Sequence, residues 1–474
     1  MNEKKILDWK VLALMTVTIV WGFTNTVIGY ANHGLRIIFC WFVIFSIYFI
    51  PYVLMVGEMG ATFKEHSGGV CYWLKATGCH KLAYYAGWTQ WAVHIPYLAQ
   101  IPQGIIISTS WLINGNNSFT KTIPVHYVQL IGIVIFLFFM WYASRGVTAL
   151  KRLGAIAGSS MFVMTMLYVV LTLSAPFFTK AKTFSYHFDL ATFLPNLDLH
   201  LLVTLALMIF AVGGCEKLAP YVNNLAKPAK EFPRAMIAMV VLVVLNAMLG
   251  TLAMGLMFDP NNIPKDLMMN GTFYCFQRLG HYYGVGNLFL TLYSLAQLFS
   301  QMAVLAICID APTKIMLADV DPSMVPKALR NINEKGVPVG GYILTGTLSI
   351  LLMLIPLLGI GDLNSLFNYL VRLNAIVHPI SYLFIFYAYI AIKNGNFSSD
   401  YIFVNNRSIG KLFGYWCLFL TTFACLMGML PQDIATFSSG WWFQFTVNIA
   451  TPFFLLVLGM ILPFLASREQ AAHS

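Results

Sequence analysis

The sequence predicts an all-α integral membrane protein with twelve transmembrane helices. Three observations predict it. The 474 residues are 59% hydrophobic and only 10% charged, where a soluble domain carries about 25% charge. Asp, Glu, Lys and Arg divide the chain at regular intervals into twelve long charge-free runs. Two of those runs are interrupted by glycine, five runs apart.

The runs are 11–35, 37–57, 82–120, 122–144, 153–179, 199–215, 235–258, 279–309, 336–361, 373–392, 412–432 and 434–467. Eleven have 20 or more residues, enough to cross a hydrocarbon core of about 30 Å as a helix. The run 199–215 meets Glu216 and Lys217 and then continues apolar, so it reads as a helix interrupted within the membrane. Backbone groups in lipid must be satisfied internally, which makes these runs helices. A transmembrane β-barrel would show short alternating segments instead. The first run is too long, and lacks the small-residue ending, for a cleaved signal peptide.

Lysine and arginine set the expected orientation. With the N-terminus inside, nineteen fall in inside segments (such as Lys4, Lys64, Arg145, Lys227 and Lys335) and six outside (Arg36, Lys121, Lys180, Lys182, Lys265 and Arg278). Both termini are therefore expected in the cytoplasm. The net charge of +10 is topological and needs no nucleic acid. The eight cysteines show no C-x-x-C or Cys/His zinc spacing and read as buried apolar residues. No metal or cofactor is expected.

Several function classes drop out. The chain has no G-x-x-x-x-G-K-[ST] phosphate loop and no soluble segment much beyond about 25 residues, so it has no room for a nucleotide-binding domain. Histidines are dispersed rather than clustered at one interface as a membrane enzyme would have them. A secondary transporter remains. Such proteins bind solute near the midplane, where discontinuous helices expose backbone groups and dipole ends. Span 1 contains Val20-Trp21-Gly22-Phe23-Thr24-Asn25, and span 6 contains Phe210-Ala211-Val212-Gly213-Gly214-Cys215-Glu216. Their spacing predicts a five-plus-five inverted repeat followed by two extra helices. The expected organisation is a single polytopic domain: 1–10 cytoplasmic, 11–179 the first repeat, 199–393 the second, 412–467 the extra helices and 468–474 the cytoplasmic tail. Loops 180–198 and 259–283 are expected to carry short helices.

Three motifs, in order, resemble those of the amino acid–polyamine–organocation transporters. After span 2 comes Gly57-Glu58-Met59, then His66-Ser67-Gly68-Gly69-Val70-Cys71-Tyr72-Trp73, similar to the family's acidic residue and P-x-x-G-G-x-Y with His66 near the proline position. After the span 6 break comes Lys227-Pro228-Ala229-Lys230-Glu231-Phe232-Pro233-Arg234-Ala235, similar to N-P-x-R-x-x-P-x-A. After span 8 comes Asn331-Ile332-Asn333-Glu334-Lys335-Gly336-Val337-Pro338, similar to N-x-x-G-x-P. The resemblance implies a LeuT-type fold and amino acid or amine transport, not catalysis. Members that bind amino acids usually carry a G-S-G-like break in span 1. Here Trp21 and Phe23 flank Gly22, which is expected to crowd a carboxylate. With Tyr84-Tyr85-Ala86-Gly87-Trp88, His94-Ile95-Pro96-Tyr97-Leu98-Ala99-Gln100 and Ile309-Asp310-Ala311-Pro312, this stretch resembles the agmatine/putrescine exchangers within the glutamate/GABA antiporter branch.

Ionisable residues inside spans are functional candidates by default. Asp310 reads either as partner to a cationic substrate or a proton, or as paired with Lys314. Glu216 reads either as a lock on the broken helix or as a coupling group. Lys217 reads as paired with another helix or as a fixed internal cation. Arg372 is expected to snorkel outward. His94 reads as a satisfied core residue or a pH-sensitive one, with Tyr97 and Gln100 on roughly the same face.

The expected site comprises Trp21, Gly22, Phe23, Thr24, Asn25, His94, Tyr97, Gln100, Phe210, Ala211, Gly213, Gly214, Glu216, Cys308, Asp310 and Asn374. In it, Asp310 and Glu216 meet cationic ends, the glycine breaks take polar ends, Trp21 and Phe210 gate, and Trp21 also stacks on a guanidinium or ammonium. Cys308 stands where related exchangers often carry a tryptophan, and Asn374 where the resemblance places a substrate contact. The expected activity is antiport of agmatine for putrescine in the cell membrane, by rocking of spans 1, 2, 6 and 7. The alternatives are a neutral or acidic amino acid exchanger (glutamate/GABA or tyrosine/tyramine type) and a proton-coupled permease. The expected partners are the small-molecule substrate and the lipid bilayer, with a homodimer as the expected assembly if any.

Overall fold

A computed structural model describes residues 7–179, 190–259, 262–318, 320–354, 363–431 and 434–473. Part of loop 180–198, residues 260–261 of the second loop, and 355–361 of the ninth run lie outside the described residues. The described chain is helical, with two isolated bridges (Leu7 to Leu225 and Ile332 to Pro338) as its only β pairing.

The first span breaks where glycine was expected to break it. Helix α1 (Trp9–Val20) stops, Trp21 and Gly22 are extended, and α2 (Phe23–His33) restarts. The chain turns at Gly34, whose φ of 57° suits a residue without Cβ. It returns as α3 (Ile37–Ile44), a π turn over Phe45–Phe49, and α4 (Ile50–Thr62). The first repeat continues through α5 (Gly69–Ala76), α6 (His80–Ala92), α7 (His94–Asn114), α8 (Phe119–Thr122), α9 (Val125–Ala143) and α10 (Val147–Phe178). Between α6 and α7, Pro96 has no N–H for the carbonyl four residues back, and the rod is interrupted at Val93.

The second repeat follows the same order. After α11 (Leu190–Phe193), helix α12 (Leu199–Val212) stops at Gly213 and Gly214, and a 3-10 stretch spans Cys215–Asn224. Then come α13 (Pro228–Met257), α14 (Leu267–Tyr282), α15 (Leu288–Leu317), α16 (Lys327–Arg330), α17 (Val339–Leu354) and α18 (Leu363–Asn394). The short helices α11 and α14 lie in the two loops expected to hold them. The extra helices are α19 (Arg407–Gly428) and α20 (Ser439–Leu458), with α21 (Ile461–His473) closing the chain.

Among the described residues, nine helical stretches are long and apolar enough to cross a membrane. One of these, Trp9–Thr62, turns back at Gly34 and crosses twice. The α6–α7 rod and the shorter apolar helix Val339–Leu354 complete twelve crossings. The architecture is the LeuT-type repeat, discontinuous in spans 1 and 6.

Two boundaries differ from the sequence reading. Span 8 is not 279–309: α14 ends at paired turns with Gly284 and Gly286 at positive φ, and α15 runs on past Asp310 to Leu317 because Lys314 pairs with that carboxylate one turn later. Span 12 is not continuous over 434–467. Pro463 cannot donate to the Gly459 carbonyl, and the Tyr84 hydroxyl donates to it instead at 2.6 Å.

Lipid gives helices no hydrophobic reason to associate, so close backbone packing matters. On α10, a methyl group at Gly158 would lie 2.6 Å from the Leu14 carbonyl oxygen, and one at Gly154 would lie 2.8 Å from Met15 Cγ. Two glycines one turn apart thus let α10 approach the unbroken half of span 1. That holds α1 in place while its C-terminal end opens onto the centre of the molecule.

Candidate functional site

A cavity of about 140 Å³ lies where spans 1 and 6 are broken. Backbone dipole ends of both signs face it. The last carbonyls of α1 and α12 and the first N–H groups of α2 have no helical partners of their own. The N-terminal end of α2 carries partial positive charge and the C-terminal ends of α1 and α12 partial negative charge. A carboxylate and an amino group are the two ends of an amino acid backbone that such a pair of termini fits. Asn25 Nδ2 ties the breaks together, donating to Ala211 O at 3.2 Å and Val20 O at 3.5 Å.

Half of the expected residues line this cavity: Gly22, Thr24, Asn25, Tyr97, Gln100, Phe210, Ala211 and Gly213. Gly22 leaves open space, since a methyl group there would find only Thr24 N within 4 Å, at 3.9 Å. Gly213 permits close approach, since a methyl group there would sit 2.0 Å from the Tyr382 hydroxyl. Gly214, at φ 110°, makes the turn that an L side chain would strain. Asn374 is fully buried and donates to Gln100 Oε1 at 2.8 Å, so it orients a lining residue.

The rest are placed elsewhere, for physical reasons. Trp21 turns away from the cavity and packs edge-on against Trp41 (centroids 5.2 Å apart) and Phe45. Phe23 packs against Tyr168, Phe276 and Tyr293. The expected crowding of Gly22 therefore does not occur, because the extended backbone sends both rings into helix–helix contacts. Trp21 is not positioned to stack on a ligand in the cavity.

Glu216 is completely buried and lies beneath the break, off the lining. It accepts from the Tyr52 hydroxyl, from Gln90 Nε2 at 2.6 Å and from the Gly214 N–H at 3.1 Å. Those donors occupy the carboxylate, and the geometry is that of a lock on the broken helix. Asp310 is likewise engaged. It accepts from Tyr221 at 2.7 Å and Tyr342 at 2.5 Å and pairs with Lys314 at 2.9 Å. Lys314 lines a separate cavity of about 500 Å³ with Arg145 and Lys335. Neither acid is among the described residues that line the central cavity. Cys308 is buried off the lining; Val304, one turn earlier, takes its place. His94 is also off the lining, with Nδ1 2.5 Å from Gln90 O.

Lys217 is the charged side chain on the wall, the only one among the described lining residues. Its ammonium lies 5.6 Å from the centre of the Tyr97 ring, within reach of a cation–π contact. It is 4% exposed, and no ion pair engages it among the described residues. The sequence reading weighed Lys217 as a fixed cation but left it out of the site. It also missed Gln297, Ser300 and Gln301 on α15, which line the cavity. Their signal was a polar i, i+3, i+4 pattern inside an otherwise apolar run.

A family model described as amino acid permease matches residues 7–456. The chain belongs to the amino acid permease family, within the amino acid–polyamine–organocation superfamily. This permease is 44% identical to the aspartate/glutamate permease AcaP of Lactococcus lactis subsp. cremoris, over 99% of this chain and 97% of that one. It is 24% identical to a glutamate/gamma-aminobutyrate antiporter of Lactococcus lactis subsp. lactis, over 98% and 90%. Among solved structures, a manganese transporter mutant of Eremococcus coleocola aligns with TM-score 0.60 at 12% identity, over 98% of this chain and 95% of that one. That likeness concerns the fold. The permease is a multi-pass membrane transporter and not an enzyme.

Proposed function

We propose that this permease carries acidic amino acids, L-aspartate and L-glutamate, across the cell membrane. The observation that carries the reading is Lys217 on the cavity wall with no acidic residue beside it among the described lining residues. A dicarboxylic amino acid brings one net negative charge, which a desolvated ammonium attracts. Its α-carboxylate meets the first N–H groups of α2 at Gly22 to Thr24, its α-amino group meets the terminal carbonyls of α1 and α12, and its side-chain carboxylate meets Lys217. The relatives named for aspartate, glutamate and gamma-aminobutyrate support the same class.

This replaces the agmatine/putrescine pair. A cationic substrate would meet Lys217 and find Glu216 and Asp310 already engaged. The lysine and arginine bias supports cytoplasmic termini for this permease.

The test is uptake of labelled L-aspartate into proteoliposomes, with unlabelled competitors. Glutamate is expected to compete, and agmatine and putrescine are not. Uptake of agmatine with no uptake of aspartate would overturn the reading.

A further inference from the structure

Two histidines behind the cavity wall are not used by the reading above. His94 on α7 and His378 on α18 are 1% and 0% exposed, and their ring centroids are 4.7 Å apart. The His94 Nδ1 contact with the Gln90 carbonyl assigns the proton to that nitrogen and leaves Nε2 bare. His94 Nε2 has no hydrogen-bond partner among the described residues, and the His378 ring has only the Asn374 backbone carbonyl, one turn back on its own helix, within reach of a poorly aligned contact. Buried polar atoms in native structures are nearly always paired, and an ionisable group at membrane depth is a functional candidate by default.

Their position is specific. The His378 ring lies 5.6 Å from Tyr97 and 5.1 Å from Phe210, both of which line the cavity. One layer of side chains thus separates the imidazole pair from a bound substrate. Lys217 also lies against Tyr97, 5.6 Å from its ring centre. The titratable and charged groups facing the pair are Tyr97 from α7, Lys217 from the 3-10 stretch, and Glu216 at one remove through Gln90 of α6. Helix α12 presents Phe210.

We infer that the His94–His378 pair is a proton-binding site whose proton travels with the substrate. With the cavity empty, Lys217 opposes a second positive charge nearby. An acidic amino acid seated on Lys217 cancels that opposition, so substrate and proton favour each other's binding. Such coupling is reciprocal. One proton added to an imidazole and carried with a monoanionic amino acid makes the translocated pair neutral. No bond is broken and no co-reactant is required.

The inference rests on the acidic-substrate reading, and the experiment separates the two. Proteoliposomes loaded with a pH-sensitive dye report proton entry while labelled L-aspartate reports substrate entry. Protons entering in proportion to aspartate in the wild type, with that ratio falling several-fold in His378→Gln or His94→Gln, is the expected result. The ratio is independent of how active each variant is. Either variant suffices, so one that fails to fold does not remove the test; should neither transport, proton uptake on aspartate binding in detergent is compared between the wild type and each folded variant, and a several-fold loss in the variant is expected. Aspartate transport or binding without proton movement in the wild type would overturn the inference and leave the substrate reading standing. An unchanged ratio in every variant that transports would also overturn it. No aspartate transport or binding by the wild type would overturn both.

Discussion

Glu216 and Lys217 are adjacent in the chain and engage different partners. The carboxylate turns under the break to Tyr52, Gln90 and the Gly214 N–H, while the ammonium turns to the cavity over Tyr97. Neighbouring residues on a helical stretch do not face each other, and here that geometry separates a lock from a cavity-lining charge. It also changes the sign of the site from the one expected on the assumption that acids line it.

Glu216 accepts from three donors, so an amide in its place would turn an NH2 toward at least one of them. Glu216→Gln is expected to lower the unfolding temperature of the purified protein, at a cost of about 1–3 kcal/mol for the unpaired donor. An unchanged melting curve would show that the lock is not formed.

The two break glycines predict opposite kinds of defect. Gly22→Ala places a methyl group in open space beside Thr24 N. Its fold is expected to persist, while aspartate affinity falls by about 10- to 100-fold, the worth of a hydrogen bond to a charged group. Gly213→Ala drives a methyl group into the Tyr382 hydroxyl and is expected to reduce folded yield. Binding assays alongside size-exclusion profiles separate the two.

Asp310 is completely buried against Lys314 and two tyrosines. Removing one partner of such a pair leaves an uncompensated charge, with losses of about 3–5 kcal/mol when both are deeply buried. Asp310→Asn is expected to be less stable than the double variant Asp310→Asn with Lys314→Met, measured by thermal unfolding. A double variant no more stable than the single one would refute the pairing.

Glu58 and Lys393 make a second buried pair, at 2.6 Å, joining α4 to the end of α18. Glu58 also accepts from Tyr389 at 3.0 Å and from the Phe403 N–H at 3.1 Å. Lys393→Met alone is expected to destabilise the fold through the stranded carboxylate. Restoring transport by adding Glu58→Gln would mark the loss as electrostatic.

The span count was legible because charge is costly in lipid and therefore punctuates the chain. The breaks were legible because glycine marks them, at Gly22 and at Gly213-Gly214. The direction in which each flanking side chain points was not. Trp21 and Phe23 leave the cavity because the backbone between the half-helices is extended, and Glu216 and Lys217 part because the next stretch is a 3-10 helix. Phase around an unwound segment depends on its dihedrals, which no helical periodicity supplies. For the same reason Asp310 read as a midplane acid, although its helix continues to Lys314 and supplies the partner itself.

The central claim is that Lys217 receives the side-chain carboxylate. The most direct measurement compares the affinity of purified protein for L-aspartate and L-asparagine, in the wild type and in Lys217→Gln. The wild type is expected to prefer aspartate, by about tenfold or more for a charge-assisted contact, and Lys217→Gln to lose most of that preference while still binding asparagine. Equal preference for aspartate in both proteins would contradict the account.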